Sequence, residues 1–113
     1  MRNLGDLSIV PVWLNPHHTV MAAKLLMSGF NVRAIGIMEG RLLLGVVTKD
    51  QLAGVPDEAP LESIMQVPPI MLDKSVTMHK AAEKLAEAGS ELAAIFENDT
   101  FAGLITAGML LRH

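Results

Sequence analysis

The sequence contains no cysteine, few aromatic side chains and no long run of apolar residues. The lack of cysteine excludes disulfides, thiolate chemistry and cysteine-based zinc sites. The longest apolar run, Leu42–Val47, is far shorter than the roughly 20 residues that a membrane-spanning helix needs. The early stretch Ser8–Leu14 is short, contains Pro11 and has no basic lead-in, so it does not resemble a signal peptide. We therefore expect a soluble, cytoplasmic protein without a membrane partner.

Basic residues are also sparse, and the formal net charge is −3 at pH 7. No segment gathers enough Lys or Arg to follow a phosphate backbone, and the aromatic residues are too scattered to stack on bases. Nucleic acid is therefore excluded as an expected partner. Half of the residues are hydrophobic and 19% are charged, a composition typical of a folded chain. A length of 113 residues suits one domain or two small halves that share a core.

The sequence contains an internal repeat. At an offset of 58 residues, Val10–Leu52 aligns with Pro68–Leu110 without a gap, and turn residues match turn residues throughout. Identical pairs are Pro11/Pro69, Leu14/Leu72, Thr19/Thr77, Ala23/Ala81, Ile37/Ile95, Glu39/Glu97, Gly45/Gly103, Thr48/Thr106 and Leu52/Leu110.

Each copy predicts a strand, a helix, a hairpin of two strands and a short closing helix. The expected elements of the first copy are strand Ile9–Leu14, helix Thr19–Ser28, strands Arg33–Met38 and Leu42–Val47, and a helix capped by Thr48. Those of the second copy are strand Pro69–Leu72, helix Thr77–Ala88, strands Ala93–Glu97 and Thr100–Ile105, and a helix capped by Thr106. Thr19 and Thr77 are expected N-caps, and Gly29 and Gly89 are expected helix ends.

A β-α-β-β-α unit of this size cannot bury its sheet and helices alone, whereas two copies can do so together. The sequence thus predicts the α/β (α+β) class, with two pseudosymmetric β-α-β-β-α repeats packed sheet to sheet. The expected repeats span residues 1–58 and 59–113. Residues 53–60, which contain two prolines, one glycine and two acids, are the expected linker.

Four segments carry a family resemblance: Thr19–Ala23 followed by Leu26 and Met27, Gly45–Leu52, Thr77–Ala81 and Gly103–Leu110. Over nearly its whole length the chain resembles a tandem pair of CBS domains, named after cystathionine β-synthase and called a Bateman module. The resemblance implies a module without catalytic activity or required cofactor. It also implies binding of AMP, ADP, ATP or S-adenosylmethionine in clefts between the repeats. Ligand occupancy would then be relayed to a regulated enzyme or transporter, and two modules would pair as a dimer.

The family's ribose contact is an aspartate three residues after the threonine of a G-h-h-T-x-x-D pattern, where h is hydrophobic. Gln51 and Met109 hold that position here, and Asp50 lies one residue early, roughly 100° round a helix. A hydrogen bond to a charged group is worth roughly 1.5–3 kcal/mol, so its loss weakens affinity about ten- to a hundred-fold. Because an amide oxygen recovers part of this and a thioether none, we expect a weakened first site and a second site blind to ribose.

The other ligand candidates each have an alternative role. Thr48 and Lys49 either hold phosphate or form a helix cap beside a solvated lysine, and capping is the expected role of Thr106. Arg33 either reaches phosphate or is a solvated charge at a strand edge. Four apolar residues either wall an adenine or belong to the core: Val12, Ile37, Ile70 and Ile95.

Metal binding and catalysis find no support in the residue pattern. His17 and His18 need a third ligand, and only His79 and His113 remain, so we expect a solvent-exposed turn and no metal site. The carboxylates are scattered and suggest no nucleophile–base pair, so we expect the protein to have no catalytic activity.

The first predicted helix is apolar on almost every side, with Lys24 as its only charge. A helix in a two-layer unit needs one buried stripe, so the surplus predicts a second molecule as its cover. The expected interface of a homodimer includes Met21, Leu25, Met27 and Met109. Two functions remain open: a ligand-sensing regulatory module, and a structural or protein-interaction module that kept the fold and lost the ligand.

Overall fold

The computed structural model describes residues 2–67 and 70–111, which form two compact units. The first unit comprises residues 12–67, and the second combines residues 2–11 with residues 70–111. Each contains one three-stranded sheet. The predicted mixed α/β class and the two β-α-β-β-α repeats are confirmed.

The first unit has the strand order β1-β2-β3, with β1 parallel and β3 antiparallel to the central strand. Its elements are β1 (Trp13–Leu14), α1 (Val20–Phe30), β2 (Ala34–Glu39), β3 (Leu42–Thr48) and two 3-10 helices, Lys49–Leu52 and Leu61–Ser63. Its buried core includes Val20, Ala23, Met27, Ile35, Ile37, Val47, Leu52 and Leu61.

The second unit repeats this plan with the strand order β4-β5-β6. Its elements are a 3-10 helix (Leu4–Asp6), β4 (Met71–Asp73), α2 (Met78–Ala88), β5 (Leu92–Glu97), β6 (Thr100–Thr106) and α3 (Ala107–Leu111). Its buried core consists of Leu4, Leu7, Ala81, Leu85, Ala93, Ile95 and Ile105.

Strand register confirms the repeat at the level of individual pairs. Ala34 pairs with Thr48 in the first sheet, and Leu92 pairs with Thr106 in the second. A register shift follows Ile37 in β2, and the same irregularity follows its repeat mate in β5. Residues 58 apart therefore occupy equivalent places in the two sheets.

The helix caps are confirmed at three of four positions. The Thr19 hydroxyl accepts the Ala22 N–H at 3.2 Å, the Thr77 hydroxyl accepts the Lys80 N–H at 3.1 Å, and Gly89 ends α2 in the left-handed conformation. The prediction that Gly29 ends the first helix is wrong, because α1 continues to Phe30. Asn31 provides the left-handed C-cap instead, with φ of 54°. Asparagine is one of the few residues that adopts this conformation readily.

The first strand is shorter than predicted. Only Trp13–Leu14 pairs with β2, whereas residues 9–11 belong to the second unit. Gly103 makes room for this segment, because a Cβ there would contact the Ile9 side chain and lie 3.0 Å from the Val10 carbonyl oxygen. The matching strand β4 begins at Met71, and the Pro69 included in its prediction lies outside the described residues.

The core of each unit is completed by a short segment from outside its β-α-β-β-α repeat. In the second unit, the Leu4 N–H donates to the Val76 carbonyl at 2.9 Å, and Leu4 is completely buried. In the first unit, the Leu61 N–H donates to the His18 carbonyl at 2.9 Å, and Leu61 is equally buried. Leu61 follows the first repeat in sequence yet completes that repeat's core, so the compact units do not coincide with the sequence repeats.

Across the described ranges 2–67 and 70–111, every helix is too short or too polar to cross a membrane.

Candidate functional site

The end of β3 is held between β2 and a short returning segment. The Val46 N–H donates to the Gln66 carbonyl at 2.7 Å, and the Gln66 N–H returns a bond at 2.9 Å. Gly45 permits this approach, because a Cβ at that position would lie 2.6 Å from the Gln66 carbonyl oxygen. The glycine of the G-h-h-T pattern thus fixes the place where Thr48 leaves the sheet.

Gln51, at the family's ribose position, is folded back onto the start of its own helix. Its Oε1 accepts the Thr48 N–H at 2.7 Å and lies 3.3 Å from the Thr48 hydroxyl, which donates to it. This contact is the side-chain half of a capping box and stabilises the helix N-terminus. The Gln51 amide oxygen is therefore already engaged within the protein.

Two cations flank this helix start. The Lys49 N–H donates to the Arg33 carbonyl at 2.8 Å, which joins the entry of β2 to the first residue of the helix. The Arg33 guanidinium lies 3.7 Å from Asp50 Oδ1, and the Asp50 side chain is 91% exposed. The structure thus brings Arg33 and Lys49 together and directs Asp50 into solvent, as its one-residue offset predicts.

The proposed adenine-contacting residues lie in the hydrophobic cores. Val12 and Ile37 are buried in the first core, Ile95 is buried in the second, and Ile70 packs partly buried against the second. Of the two roles weighed for these residues, the structure shows the core role.

The second repeat has the same backbone but different side-chain chemistry. The Thr106 hydroxyl accepts the Met109 N–H at 3.2 Å, and Met109 Sδ lies 3.4 Å from the Thr106 nitrogen. Thr106 therefore acts as the predicted cap of α3. Glu91 stands where the first repeat has Arg33, and Ala107 stands where it has Lys49.

A groove of about 620 Å³ opens beside Arg33 and Lys49 on the first unit. Sequence reasoning missed three of its lining residues, Lys24, Ser28 and Asn31, which lie between the outer face of α1 and the helix end. Their spacing of i, i+4 and i+7 was the available signal, because it places polar residues along one side of a largely apolar helix.

The expected interface residues differ in exposure. Met21 and Leu25 are 42% and 66% exposed, as an interface requires. Met27 is only 2% exposed and packs in the first core, so its assignment to an interface is wrong. Its place one turn after the buried Ala23 puts it on the inner side of α1. Met109 is half-buried and packs against the second core.

Within the residues that the structure describes, no three His, Asp or Glu side chains converge as metal ligands. His113, one of the histidines considered as a third ligand, lies outside those residues. His18 Nδ1 accepts the Asn15 N–H at 3.1 Å, so this ring serves the turn before α1.

The CBS domain family model matches residues 61–113. No curated protein matches the sequence significantly.

Several solved structures share the fold over almost the whole chain. The CBS domain pair of protein MJ0100, in complex with 5′-methylthioadenosine and S-adenosyl-L-methionine, superposes with a TM-score of 0.85. It is 18% identical and covers 99% of this chain and 94% of its own. CBSX2 from Arabidopsis thaliana in complex with AMP gives a TM-score of 0.76 at 19% identity, with coverage of 99% and 95%. The CBS domains of a transcriptional regulator from Streptococcus pneumoniae give 0.83 at 13% identity, with coverage of 100% and 99%.

Proposed function

We propose that this chain, which has the fold of CBS domain pairs and matches the CBS family model over residues 61–113, is a non-catalytic regulatory module that binds an adenosyl ligand. The ligand is AMP, ADP, ATP or S-adenosylmethionine, and its occupancy is relayed to an enzyme or transporter that the module regulates. Similar folds bind AMP in CBSX2 and S-adenosyl-L-methionine in MJ0100. The absence of cysteine is compatible with work in a reducing cytoplasm.

The observation that carries this proposal is the pairing of Arg33 with Lys49 beside Thr48. The hydrogen bond from the Lys49 N–H to the Arg33 carbonyl holds both residues at the start of one helical turn. Two cations and a hydroxyl form a suitable environment for a phosphate group, since charge-assisted hydrogen bonds are the stronger ones. We therefore assign the phosphate of AMP, ADP or ATP, or the carboxylate of S-adenosylmethionine, to the first unit.

Gln51 sets the strength of binding. For its Oε1 to accept a ribose hydroxyl, it must release or share the Thr48 N–H that it now accepts at 2.7 Å. A neutral amide also makes weaker hydrogen bonds than a carboxylate. The expected affinity is about ten- to a hundred-fold below that of the same site with aspartate at this position.

Thermal-shift titration with AMP, ATP and S-adenosylmethionine tests the proposal. At least one ligand should raise the melting temperature, and Gln51→Asp should strengthen the response about ten-fold or more in ligand concentration. Met109→Asp is the matched control, because it places the same carboxylate in the second repeat, where Glu91 and Ala107 provide no cation. The proposal is wrong if millimolar ligand produces no shift in either the natural protein or Gln51→Asp.

A second candidate function, a homodimeric structural or protein-interaction module, is favoured by the exposed apolar face of α1. Met21 and Leu25, one turn apart on α1, are 42% and 66% exposed. We propose that a second copy of the chain covers this face, because burying apolar area of this kind is favourable.

Light scattering at micromolar concentration tests the homodimer. The natural protein should have twice the mass of one chain, and Leu25→Lys should dissociate it. Ala86→Lys, at an exposed position on α2, is the control that adds the same charge away from this face. A monomer in the natural protein, or an unchanged dimer in Leu25→Lys, contradicts this candidate.

A further inference from the structure

The two short segments that complete the cores bind their units in the same way. The Leu4 N–H donates to the Val76 carbonyl at 2.9 Å, and the Leu61 N–H donates to the His18 carbonyl at the same distance. Two further backbone bonds recur in both units at 3.0 or 3.1 Å: Gly5 to Lys74 and Glu62 to Pro16, and Met78 to Arg2 and Val20 to Ala59. The two segments are therefore structurally equivalent, at an offset of 57 residues.

These segments share the spacing of their apolar residues and little else. Leu4 and Leu61 are completely buried, and each is followed three positions later by another apolar residue of the core, Leu7 or the half-buried Ile64. The two positions in between differ: Gly5 and Asp6 in one segment, Glu62 and Ser63 in the other. Attachment therefore depends on backbone hydrogen bonds and a buried leucine, which the same segment of a second copy provides equally well.

The connections that lead out of the two segments differ. In the first unit the exit is fixed, because Gln66 and Val46 exchange two backbone hydrogen bonds. In the second unit the segment continues into Val10 and Pro11, which are both exposed. Among the residues that the structure describes, none forms a hydrogen bond with the backbone of either. Since Val12 already belongs to the first unit, the chain passes between the units at a point where its direction can change without loss of a hydrogen bond.

We propose that two copies of this chain exchange residues 2–9, with Val10 and Pro11 as the hinge. Each second unit is then completed by the segment of the other copy, through the same hydrogen bonds and the same buried leucines. Because exchange adds no contact to either core, a further contact must hold the two copies together. The inference therefore rests on the homodimer proposed above, in which the exposed face of α1 provides that contact.

Introduced cysteines test the exchange, because the chain has none of its own. Asn3 and Thr77 form an antiparallel pair flanked by hydrogen bonds from their neighbours. In such a pair the Cα atoms lie about 4.5 Å apart, a separation that a disulfide can span. After oxidation, Asn3→Cys combined with Thr77→Cys should link one chain to another, and the product should have twice the mass of one chain under denaturing conditions.

The equivalent pair in the first unit is the matched control. Pro60 and Thr19 face each other in the same way, and their segment is fixed at its exit. Pro60→Cys combined with Thr19→Cys should therefore form a disulfide within one chain and keep the mass of a single chain. Leu25→Lys, added to the test pair, should also restore the mass of a single chain, because separated copies close on their own segments.

An NMR measurement on the natural protein avoids any effect of the substitutions on the caps that Asn3 and Thr77 form. Chains labelled with different isotopes, unfolded and refolded together, should show a nuclear Overhauser effect between the α-hydrogens of Asn3 and Thr77 on different chains. A dimer in which this effect and the disulfide both stay within one chain overturns the exchange and leaves the homodimer standing. Links between chains that are as frequent in the control pair also overturn the exchange, and a monomeric natural protein overturns both proposals.

Discussion

Arg33 and Glu91 occupy equivalent backbone positions in the two repeats and carry opposite charges. The Arg33 carbonyl accepts the Lys49 N–H at 2.8 Å, and the Glu91 carbonyl accepts the Ala107 N–H at 2.9 Å. The two halves therefore share a framework, while only the first has basic side chains at the start of its closing helix. This difference underlies the assignment of ligand chemistry to the first unit.

Arg33→Glu should preserve the fold and weaken the ligand response. The second repeat already accommodates glutamate at this place, so we expect little change in the free energy of unfolding. Reversing the charge should weaken AMP about ten-fold or more, measured as the loss of the thermal shift. Arg41→Glu in the β2–β3 turn is the control, and an equal loss there would mean that net charge alone explains the effect.

Gly103→Ala should destabilise the protein. A Cβ at Gly103 would contact Ile9, and φ of 142° is a conformation that side chains disfavour. We expect a loss of at least about 2 kcal/mol in the free energy of unfolding, measured with urea.

Gly29→Ala is the matched control for that experiment. Gly29 lies within α1, and nothing is within 4 Å of its missing Cβ. Alanine there should add about 0.5–1 kcal/mol of stability. A destabilising effect at Gly29 or a neutral effect at Gly103 would contradict the described packing.

Leu4→Ala should destabilise the second unit, although Leu4 lies far in sequence from the helix and strands whose core it joins. Leu4 is completely buried in the second core, so its truncation should cost about 2–5 kcal/mol of unfolding free energy. Leu111→Ala, at an 86% exposed position at the end of α3, is the control and should change stability by less than about 0.5 kcal/mol. A cost at Leu4 as small as that at Leu111 would show that residues 4–7 do not pack against the second core in solution.

Ser75→Ala should raise the pKa of Asp73. The Ser75 hydroxyl and the Ser75 N–H both donate to Asp73 Oδ2, and they lower the pKa of this carboxyl, with the hydroxyl as the larger cause. Because the folded-state pKa is below the ordinary value of about 3.9, the contribution to stability is present above about pH 4. It is lost as pH falls through the folded-state pKa.

An NMR titration of the Asp73 carboxyl carbon measures this change. The titration midpoint should move upward in Ser75→Ala and stay fixed in Ser63→Ala, where the altered hydroxyl donates to the Pro60 carbonyl. An unchanged midpoint in Ser75→Ala would contradict the proposed cause.

Much of the fold could be predicted because its signals are local. Thr19 and Thr77 cap their helices through bonds within one turn, and the 58-residue offset carries each element from one copy to the other. Gly29 was a plausible helix end, but the alignment already paired Asn31 with Gly89, and Asn31 is the actual cap.

Other features depend on contacts between distant segments, which a local pattern does not encode. The spacing of apolar residues within 4–7 and 61–65 does not indicate which of the two cores contains Leu4, Leu7 or Leu61. The burial of Met27 and the side-chain bond from Gln51 to Thr48 likewise depend on packing and rotamer choice. The candidate site was therefore predicted by position, and its chemistry emerged only from the structure.

The most direct test is an AMP titration of isotope-labelled protein with amide shifts resolved for both repeats. The account predicts saturable shifts at Arg33, Thr48 and Lys49, with none of comparable size at Glu91, Thr106 and Ala107. Equal or larger shifts in the second repeat, or none in the first at millimolar AMP, would contradict it.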